Sequence, residues 1–142
     1  MIDKVMVVVA HPDDEILLCG GAIAKRLDTY EPAHVLILSS GVGSRGDGAK
    51  ERSESLLAAS KVIGYTAEVL DFPDQQLDTV PILVLAKEVE KRIANLRPSL
   101  IYTHWSGDLN KDHRLVSEAV KVACRPRPGH PVKTLLMGEV PS

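Results

Sequence analysis

Two runs of polar residues carry side chains that could do metal-assisted chemistry. The first, at positions 11–15, reads His-Pro-Asp-Asp-Glu, and the second, at positions 108–114, reads Asp-Leu-Asn-Lys-Asp-His-Arg. Imidazole and carboxylate are the ligands of catalytic Zn²⁺ sites, which keep a coordination position open for water or substrate. A metal held in this way activates water as a nucleophile. The two runs therefore predict a hydrolytic metal centre.

His11, Asp14 and His113 form the predicted ligand set. His113 opens a predicted helix, where the helix dipole disfavours a cationic imidazole, and a metal ligand must be neutral. Together with His11 and Asp14 it completes a set of two histidines and one carboxylate that leaves positions open for water and substrate. Zn²⁺ suits these ligands, and so do other divalent cations such as Fe²⁺ and Co²⁺.

Asp13 and Asp14 cannot easily both bind one ion in the same way. Successive helical residues point about 100° apart, so one carboxylate can ligate while the other faces the attacking water as a general base. Helix capping is the simplest alternative, because carboxylates are favoured at a helix N-terminus. Capping explains one acidic residue well, but it explains three in succession poorly and leaves His11, at the end of an apolar run, without a role.

Short apolar runs alternate with helical patterns, and these elements must position the two polar runs. Strands are predicted at Val5–Val9, His34–Leu38, Glu68–Phe72, Ser99–Thr103 and Lys133–Met137. Helices are predicted at about Leu17–Tyr30, Ala49–Ile63 and Val80–Leu96, with a fourth beginning near Asp112. The alternation predicts an α/β fold with a parallel sheet covered by helices on both faces. Ligands of such sheets bind beyond the carboxyl ends of the strands, where both polar runs lie.

The loop after the second strand is rich in glycine and could contact a substrate. Positions 39–48 read Ser-Ser-Gly-Val-Gly-Ser-Arg-Gly-Asp-Gly and lead into a helix that carries Arg52. The loop lacks the spacing of a P-loop or of a dinucleotide fingerprint. It is either a flexible surface loop or, given its place at the carboxyl edge, a source of backbone amides that reach substrate oxygens with Arg52. A further polar loop at 72–78 is expected to contribute to specificity.

The composition is that of one soluble globular domain over positions 1–142. The chain is 44% hydrophobic and 25% charged, with a net charge of −2. Its 17 basic residues are scattered, which argues against nucleic acid or an acidic membrane as a partner. No apolar run approaches the ~20 residues of a membrane span, and a signal pattern is absent, so a cytoplasmic location is expected. Cys19 and Cys124 are expected to be small buried hydrophobes.

With these residues assembled, the sequence resembles the LmbE-like (PIG-L) family of zinc-dependent N-deacetylases. The resemblance is carried by Ala-His-Pro-Asp-Asp-Glu at 10–15, Gly-Val-Gly-Ser-Arg at 41–45, the helix start around Arg52 and Glu54, and the run at 108–114. It covers essentially the whole chain from Val5 onward. It implies a Rossmann-like three-layer sandwich with a mostly parallel sheet, and a small-molecule substrate of the N-acyl amino-sugar class.

The resemblance also implies a role for each site residue. It assigns the same three metal ligands as above and makes Asp13 the general base. Arg52 is expected near the substrate, and Asp112 is expected to support the site from behind the ligands. Further substrate contacts are expected from three residues: Ser44, Arg45 and Asp108.

Two departures from the family pattern affect the expected chemistry. Several members carry a histidine three residues before the ligand histidine, and here that position holds Asn110, which can donate a hydrogen bond but cannot carry a proton. His104, Asp108 or the metal itself is then expected to do more. We expect the metal, with Asn110 or His104, to stabilise the oxyanion, and Asp13 or His104 to protonate the leaving amine. The chain is also short for the family, so we expect a fragment that lacks a C-terminal portion, a naturally short member, or a chain that completes itself through a partner subunit in a homo-oligomer.

Two other functions are compatible with the sequence. One is a catalytically incomplete metal-binding or assembly module of the same fold, which would bind metal without turnover. The other is a nucleotide-binding Rossmann domain, which the fold class permits. The latter is disfavoured because His-Pro-Asp-Asp-Glu stands where a glycine fingerprint would follow the first strand.

Overall fold

The computed structural model describes residues 3–26, 31–41 and 48–141, and these contain a five-stranded sheet. The strands are β1 (Val5–Val9), β2 (Ala33–Ile37), β3 (Tyr65–Val69), β4 (Leu100–His104) and β5 (Thr134–Gly138). They lie in the order β3-β2-β1-β4-β5, and every neighbouring pair is parallel. The predicted parallel α/β fold is confirmed.

Four α-helices accompany the strands in the described part of the chain. They are α1 (Asp14–Lys25), α2 (Ala49–Ile63), α3 (Ile82–Leu96) and α4 (Lys111–Ala123), and a short 3₁₀ helix spans Leu77–Thr79. Gly64 ends α2 with a left-handed backbone, the conformation that glycine provides most readily after a helix. None of the helices described is both long enough and apolar enough to span a membrane.

Two apolar layers, one on each face of the sheet, hold the helices in place. Met6 and Val8 of β1 belong to a core shared with α3 and α4, whereas Val7 and Val9 belong to a core shared with α1 and α2. All five residues of β1 are buried because both faces are covered, which explains its continuous apolar and β-branched sequence. The helix–sheet–helix arrangement is the expected three-layer sandwich.

Two predicted elements near the site have wrong boundaries, α1 at its start and β3 at both ends. α1 begins at Asp14 and not at Leu17, which places an acidic residue at the positive end of the helix. β3 ends at Val69, although a strand was predicted over Glu68–Phe72. Backbone N–H groups beyond β3 still donate to carbonyls at and just after the end of β2, so the extended pattern continues past the strand. The predicted end of α1 at Tyr30 lies outside the described residues.

The carboxyl ends of β1 and β4 meet at the centre of the sheet. β2 and β3 lie to one side of this pair and β5 to the other, so the strand order reverses between β1 and β4. Such a reversal creates a crevice at the carboxyl edge, where ligands of open α/β sheets bind. The first polar run follows β1 and the second follows β4. The topology therefore brings both runs to the same crevice.

Candidate metal centre and its pocket

The carboxylate of Asp14 stands at the centre of the predicted ligand set. Its Oδ2 lies 3.2 Å from His113 Nε2 and 3.5 Å from His11 Nδ1. The same oxygen accepts the backbone N–H of His11 at 3.0 Å, which fixes it against the end of β1. All three residues are buried, and one ligand atom from each lies within 4.8 Å of the others. The two distant runs thus converge on one point that could hold a metal ion.

A second carboxylate stands behind each of the two histidines. Asp112 Oδ2 lies 2.8 Å from Nε2 of His11, and Asp108 Oδ1 lies 3.1 Å from Nδ1 of His113. Each ring therefore turns one nitrogen toward Asp14 and the other toward a supporting carboxylate. Metal-binding histidines commonly have this arrangement, because the outer carboxylate fixes the tautomer and the orientation of the ring.

The surroundings of His113 show whether these residues fit a metal ion. His113 is 1% exposed, and neither ring nitrogen makes a hydrogen bond with the described part of the chain. Buried polar atoms in native proteins almost always have a partner. A cation shared with Asp14 would satisfy Nε2, which lies 3.2 Å from that carboxylate. The donor set and its unsatisfied nitrogen fit a divalent metal.

The charges around the centre favour a cation. Burial alone would lower the pKa of His11, but its hydrogen bond to Asp112 and its contact with Asp14 raise that pKa to about 9. Burial would likewise raise the pKa of Asp14, yet contacts with His104 and the two ligand histidines hold it well below its ordinary value. Carboxylates that stabilise a proton on an imidazole also attract a metal cation through the same Coulombic interaction.

Asp13 is separated from Asp14 by an unusual backbone conformation. It is the residue before α1, with φ 91° and ψ −27°, in the left-handed region that non-glycine residues rarely adopt. The sequence predicts that the rotation of about 100° between successive helical residues separates the two side chains. That explanation is wrong, because Asp13 lies outside the helix. Asp14 is buried in the ligand set, whereas Asp13 is exposed in the wall of a pocket.

A pocket of about 190 Å³ opens beside the ligand set. Arg52 lies in its wall, and the guanidinium donates a hydrogen bond to the carbonyl of Gly41. Ser44 and Arg45, the other substrate contacts predicted near this loop, lie outside the described residues. The residues that line the pocket are His11, Pro12, Asp13, Asp14, Leu17, Arg52, Asp74, Gln75, Asn110, His113 and Pro141.

Asn110 caps α4 and also lies in the pocket wall. Its side-chain oxygen accepts the backbone N–H of Asp112 at 2.9 Å. Because the cap uses the amide oxygen, the NH₂ group is the part of the side chain left for a substrate. Asn110 can therefore present a hydrogen-bond donor to the pocket, which is what stabilisation of an oxyanion requires.

His104 lies behind His113 and is fully buried. The two rings stack with centroids 3.9 Å apart and planes 4° from parallel. Its Nε2 accepts the backbone N–H of Ala10 at 3.0 Å, and burial is the main cause that lowers the pKa of His104. The sequence predicts His104 as a donor to the oxyanion or to the amine, whereas the ring is buried and is not among the residues that line the described pocket.

Asp108 is not placed as the predicted substrate contact. It is 2% exposed, and its oxygens accept the backbone N–H groups of Asn110 at 2.9 Å and Val140 at 3.2 Å. Burial alone would raise the pKa of Asp108, but these hydrogen bonds and the contact with His113 lower it. The carboxylate thus contacts His113 and supports the loop before α4, and it is not among the residues that line the described pocket.

Two pocket residues, Asp74 and Gln75, belong to the polar loop at 72–78 that the sequence predicts to contribute to specificity. Asp74 Oδ1 lies 3.2 Å from His11 Nε2. The backbone N–H groups of Gln75 and Leu77 donate to the carboxylate of Asp112 at 2.8 and 3.1 Å, and these bonds fix the loop beside the ligands. Both residues lie in the polar run after β3, at the carboxyl edge of the sheet.

Comparisons with known proteins identify relatives of this chain. The solved structure of the conserved protein TT1542 from Thermus thermophilus superposes with a TM-score of 0.82 and 28% identity, covering 98% of this chain and 66% of that one. An uncharacterized deacetylase, YaiS, from Escherichia coli (strain K12) is 29% identical over 130 residues, which are 87% of this chain and 69% of that protein. A 4-oxalmesaconate hydratase from Pseudomonas putida is 30% identical over 135 residues, 83% of this chain and 50% of that protein.

The family match covers both halves of the site. The chain spans between 50% and 69% of the length of the three proteins compared above. The PIG-L family model, described as GlcNAc-PI de-N-acetylase, matches residues 6–124, which include both polar runs. With most of its length matched in this way, the chain belongs to the PIG-L deacetylase family.

Proposed function

We propose that this protein is a metal-dependent hydrolase that removes an N-acetyl or other N-acyl group from an amino-sugar conjugate. The observation that carries the proposal is the convergence of His11, Asp14 and His113 beside a pocket whose wall contains a further carboxylate, that of Asp13. In the reaction, water adds to the amide carbonyl carbon, the C–N bond breaks, and a carboxylic acid and an amine are released. Membership of a deacetylase family supports this reaction class.

His11, Asp14 and His113 are the proposed metal ligands, and Zn²⁺ is the proposed ion. When bound, Zn²⁺ lowers the pKa of water toward ~7 and polarises a carbonyl group. Three protein ligands leave a coordination position for these reactants. Fe²⁺ and Co²⁺ suit the same ligands, so metal analysis of the protein as purified distinguishes the three ions.

Asp13 is the proposed general base. Its exposed position next to the ligand Asp14 allows it to take a proton from the attacking water and to return that proton to the leaving amine. The NH₂ group of Asn110 is proposed to donate to the carbonyl oxygen as that oxygen becomes negatively charged. Arg52, in the pocket wall, supplies a permanent cation with several donors for substrate oxygens.

His104, Asp108 and Asp112 are proposed to position the ligands without touching the substrate. Asp108 and Asp112 are buried behind the ligand histidines, where an outer carboxylate orients the ring and raises its basicity. His104 stacks on the ring of His113 and is not among the residues that line the described pocket. This assignment replaces the direct roles that the sequence predicted for His104 and Asp108.

An amino sugar is the proposed acyl acceptor. The pocket wall carries amides and carboxylates, among them Asp74, Gln75 and Asn110, which can bind the hydroxyl groups of a sugar. The description of the family model, GlcNAc-PI de-N-acetylase, supports the same substrate class. The loop that contains Asp74 and Gln75 is the part of the described pocket that we expect to select among sugars.

Acetate release from an N-acetylglucosamine conjugate tests the proposal. We expect turnover that a chelator abolishes and that added Zn²⁺ restores. Asp13→Asn is the matched control, because asparagine tolerates a left-handed backbone but does not act as a base. This variant should lower kcat by roughly 10²–10⁴-fold while the bound zinc remains stoichiometric. Full activity of Asp13→Asn would exclude Asp13 as the base.

Two other results would support other functions, one from the acetate-release assay and one from a hydration assay. Stoichiometric metal without acetate release from a panel of N-acetyl sugars would favour an incomplete metal-binding or assembly module. Hydration of 4-oxalmesaconate would favour a hydratase, a second candidate that rests on the 30% identity to that enzyme over 135 residues. A base beside a bound cation could serve either reaction, since each begins with activation of water.

A further inference from the structure

The backbone of Asp13 is held in a conformation that its residue type does not favour. Its φ of 91° lies in the left-handed region, where a side chain meets the following carbonyl oxygen. Strained residues of this kind persist where the surrounding structure enforces them, and they cluster at functional sites. The groups that enforce this backbone therefore also determine where the carboxylate of Asp13 stands.

Glu15 holds the backbone N–H of Asp13. Its Oε2 accepts that N–H at 3.0 Å, and its Oε1 accepts the O–H of Tyr65 at 2.7 Å. Glu15 is 1% exposed and Tyr65 is 5% exposed. The carboxylate is thus fixed between the residue that precedes α1 and the first residue of β3.

Neither member of this pair is among the residues that line the described pocket. Burial of a carboxylate is costly unless hydrogen bonds compensate for the lost water. A buried apolar residue could fill the space of Glu15 without that cost, but it could not hold an N–H group in place. The two hydrogen bonds indicate why a carboxylate stands here.

We propose that Glu15 and Tyr65 are positioning residues for Asp13. They hold the left-handed backbone that places adjacent carboxylates in different surroundings, with Asp14 among the metal ligands and Asp13 in the pocket wall. The inference rests on the proposed function, in which Asp13 is the base. It extends that function by assigning the placement of the base to a hydrogen-bonded pair that lies outside the pocket.

Three single variants separate hydrogen bonding from charge. Glu15→Met removes both acceptors at similar size, and Tyr65→Phe removes only the O–H. Glu15→Gln keeps both contacts, because its amide oxygen can accept the Asp13 N–H while its NH₂ group donates to the Tyr65 oxygen. We expect kcat to fall about 100-fold in Glu15→Met and roughly tenfold in Tyr65→Phe. Glu15→Gln should stay close to wild type, and KM and zinc content should not change in any of the three.

The double variant Asp13→Asn/Glu15→Met distinguishes positioning from a merely structural role. Once the base is gone its placement no longer matters, so Glu15→Met should have little further effect on kcat in that background. An equal loss in both backgrounds would overturn the proposal, as would a Glu15→Gln variant as impaired as Glu15→Met. If Glu15→Met fails to fold, the milder Tyr65→Phe serves in the same double-variant design.

Crystal structures of the wild type and of Glu15→Met give a readout that does not depend on activity. We expect Asp13 to keep its positive φ in the wild type and to relax to a negative φ in the variant. If the wild type releases no acetate while Asp13 still relaxes in Glu15→Met, the proposed function fails and the positioning role stands. An Asp13 backbone that is unchanged in Glu15→Met would overturn the positioning role alone.

Discussion

The run at residues 11–15, after β1, and the run at residues 108–114, after β4, build the two halves of the candidate site. Their backbones hold the functional groups in different ways. The first run is short and strained. It places the buried carboxylate of Asp14, a proposed ligand, directly after the exposed carboxylate of Asp13, because Asp13 has a left-handed backbone just before α1. This conformation lets two adjacent residues of one type occupy different environments.

The second run is longer and relaxed. Asn110 caps α4 from an extended backbone, and its own N–H donates to Asp108. His113 then lies in the first turn of a regular helix, with Asp108 behind its ring. The hydrogen bonds of the loop and of the cap in this run are ones that ordinary backbone geometry allows.

The two halves of the site therefore differ in how they affect folding stability. The first run also depends on the second for support, because Asp112 lies 2.8 Å from His11. Strain at Asp13 opposes folding and serves only the placement of side chains, whereas the cap at Asn110 serves both folding and the site. We therefore expect changes at Asp13 to affect chemistry without loss of stability, and changes at Asn110 to affect both.

Among residues of the second run, Asn110 is expected to have the largest effect on kcat when it is substituted. Asn110→Asp keeps an oxygen that can cap α4 but removes the NH₂ donor, whereas Asn110→Ala removes both. We expect kcat for acetate release at saturating Zn²⁺ to fall by roughly 10²–10³-fold in both variants. Only Asn110→Ala should also lose about 1 kcal/mol of unfolding free energy. Wild-type kcat in Asn110→Asp would show that this run contributes no donor to the reaction.

The meeting of the two runs could be predicted from the sequence. Continuous β-branched runs identify β1 and β2 as strands buried on both faces, and parallel strands present their carboxyl ends at one edge. The convergence of His11 and His113 follows from the strands that they succeed. The fold class and the place of the site depended only on this pattern of apolar and polar residues.

The supporting contacts could not be predicted, because they depend on dihedral angles and on side-chain direction. The acidic residues at 13–15 have the pattern of a helix start, which gave no sign of the left-handed backbone at Asp13. The burial of His104 and Asp108 depends on how α4 packs against β4. The contact of Tyr65 with Glu15 joins residues from β3 and α1 that no local pattern connects.

Variants of Asp112 and Asp108 test whether carboxylates of the second run support the proposed ligand histidines of both runs. Asp112→Asn and Asp108→Asn keep the size of each side chain but remove the charge behind a ligand histidine. We expect zinc affinity, measured by competition with a chelator, to fall by roughly 10–100-fold in each. The loss should be larger in Asp112→Asn, because its contact with His11 is 2.8 Å against 3.1 Å for Asp108 and His113.

Turnover at saturating zinc is the control for this pair. Both variants should then approach wild-type kcat, since neither carboxylate is proposed to touch the substrate. Unchanged zinc affinity in Asp112→Asn would mean that the first run holds His11 without help from the second, and the dependence between the two halves would disappear.

The smallest expected effect is on the free energy of unfolding. It distinguishes the strained first run from the relaxed second run. Asp13→Gly removes the side chain from a left-handed residue, and glycine adopts that region without steric cost. We expect this variant to be as stable as the wild type or more stable by up to about 1 kcal/mol, because relief of the left-handed strain offsets the greater entropy of glycine in the unfolded chain. Asn110→Ala should instead be destabilised by about 1 kcal/mol with the loss of its cap.

Urea unfolding in the presence of a chelator measures both variants, so that zinc binding to the native state does not contribute to the free energy of unfolding. A loss of stability in Asp13→Gly equal to that in Asn110→Ala would mean that the backbone of Asp13 is not strained. The two runs would then hold their groups in the same way. If Asp13→Gly is more stable than the wild type and Asn110→Ala is less stable, the backbone is strained at Asp13, the proposed base. It is unstrained at Asn110, where the helix that carries His113 begins.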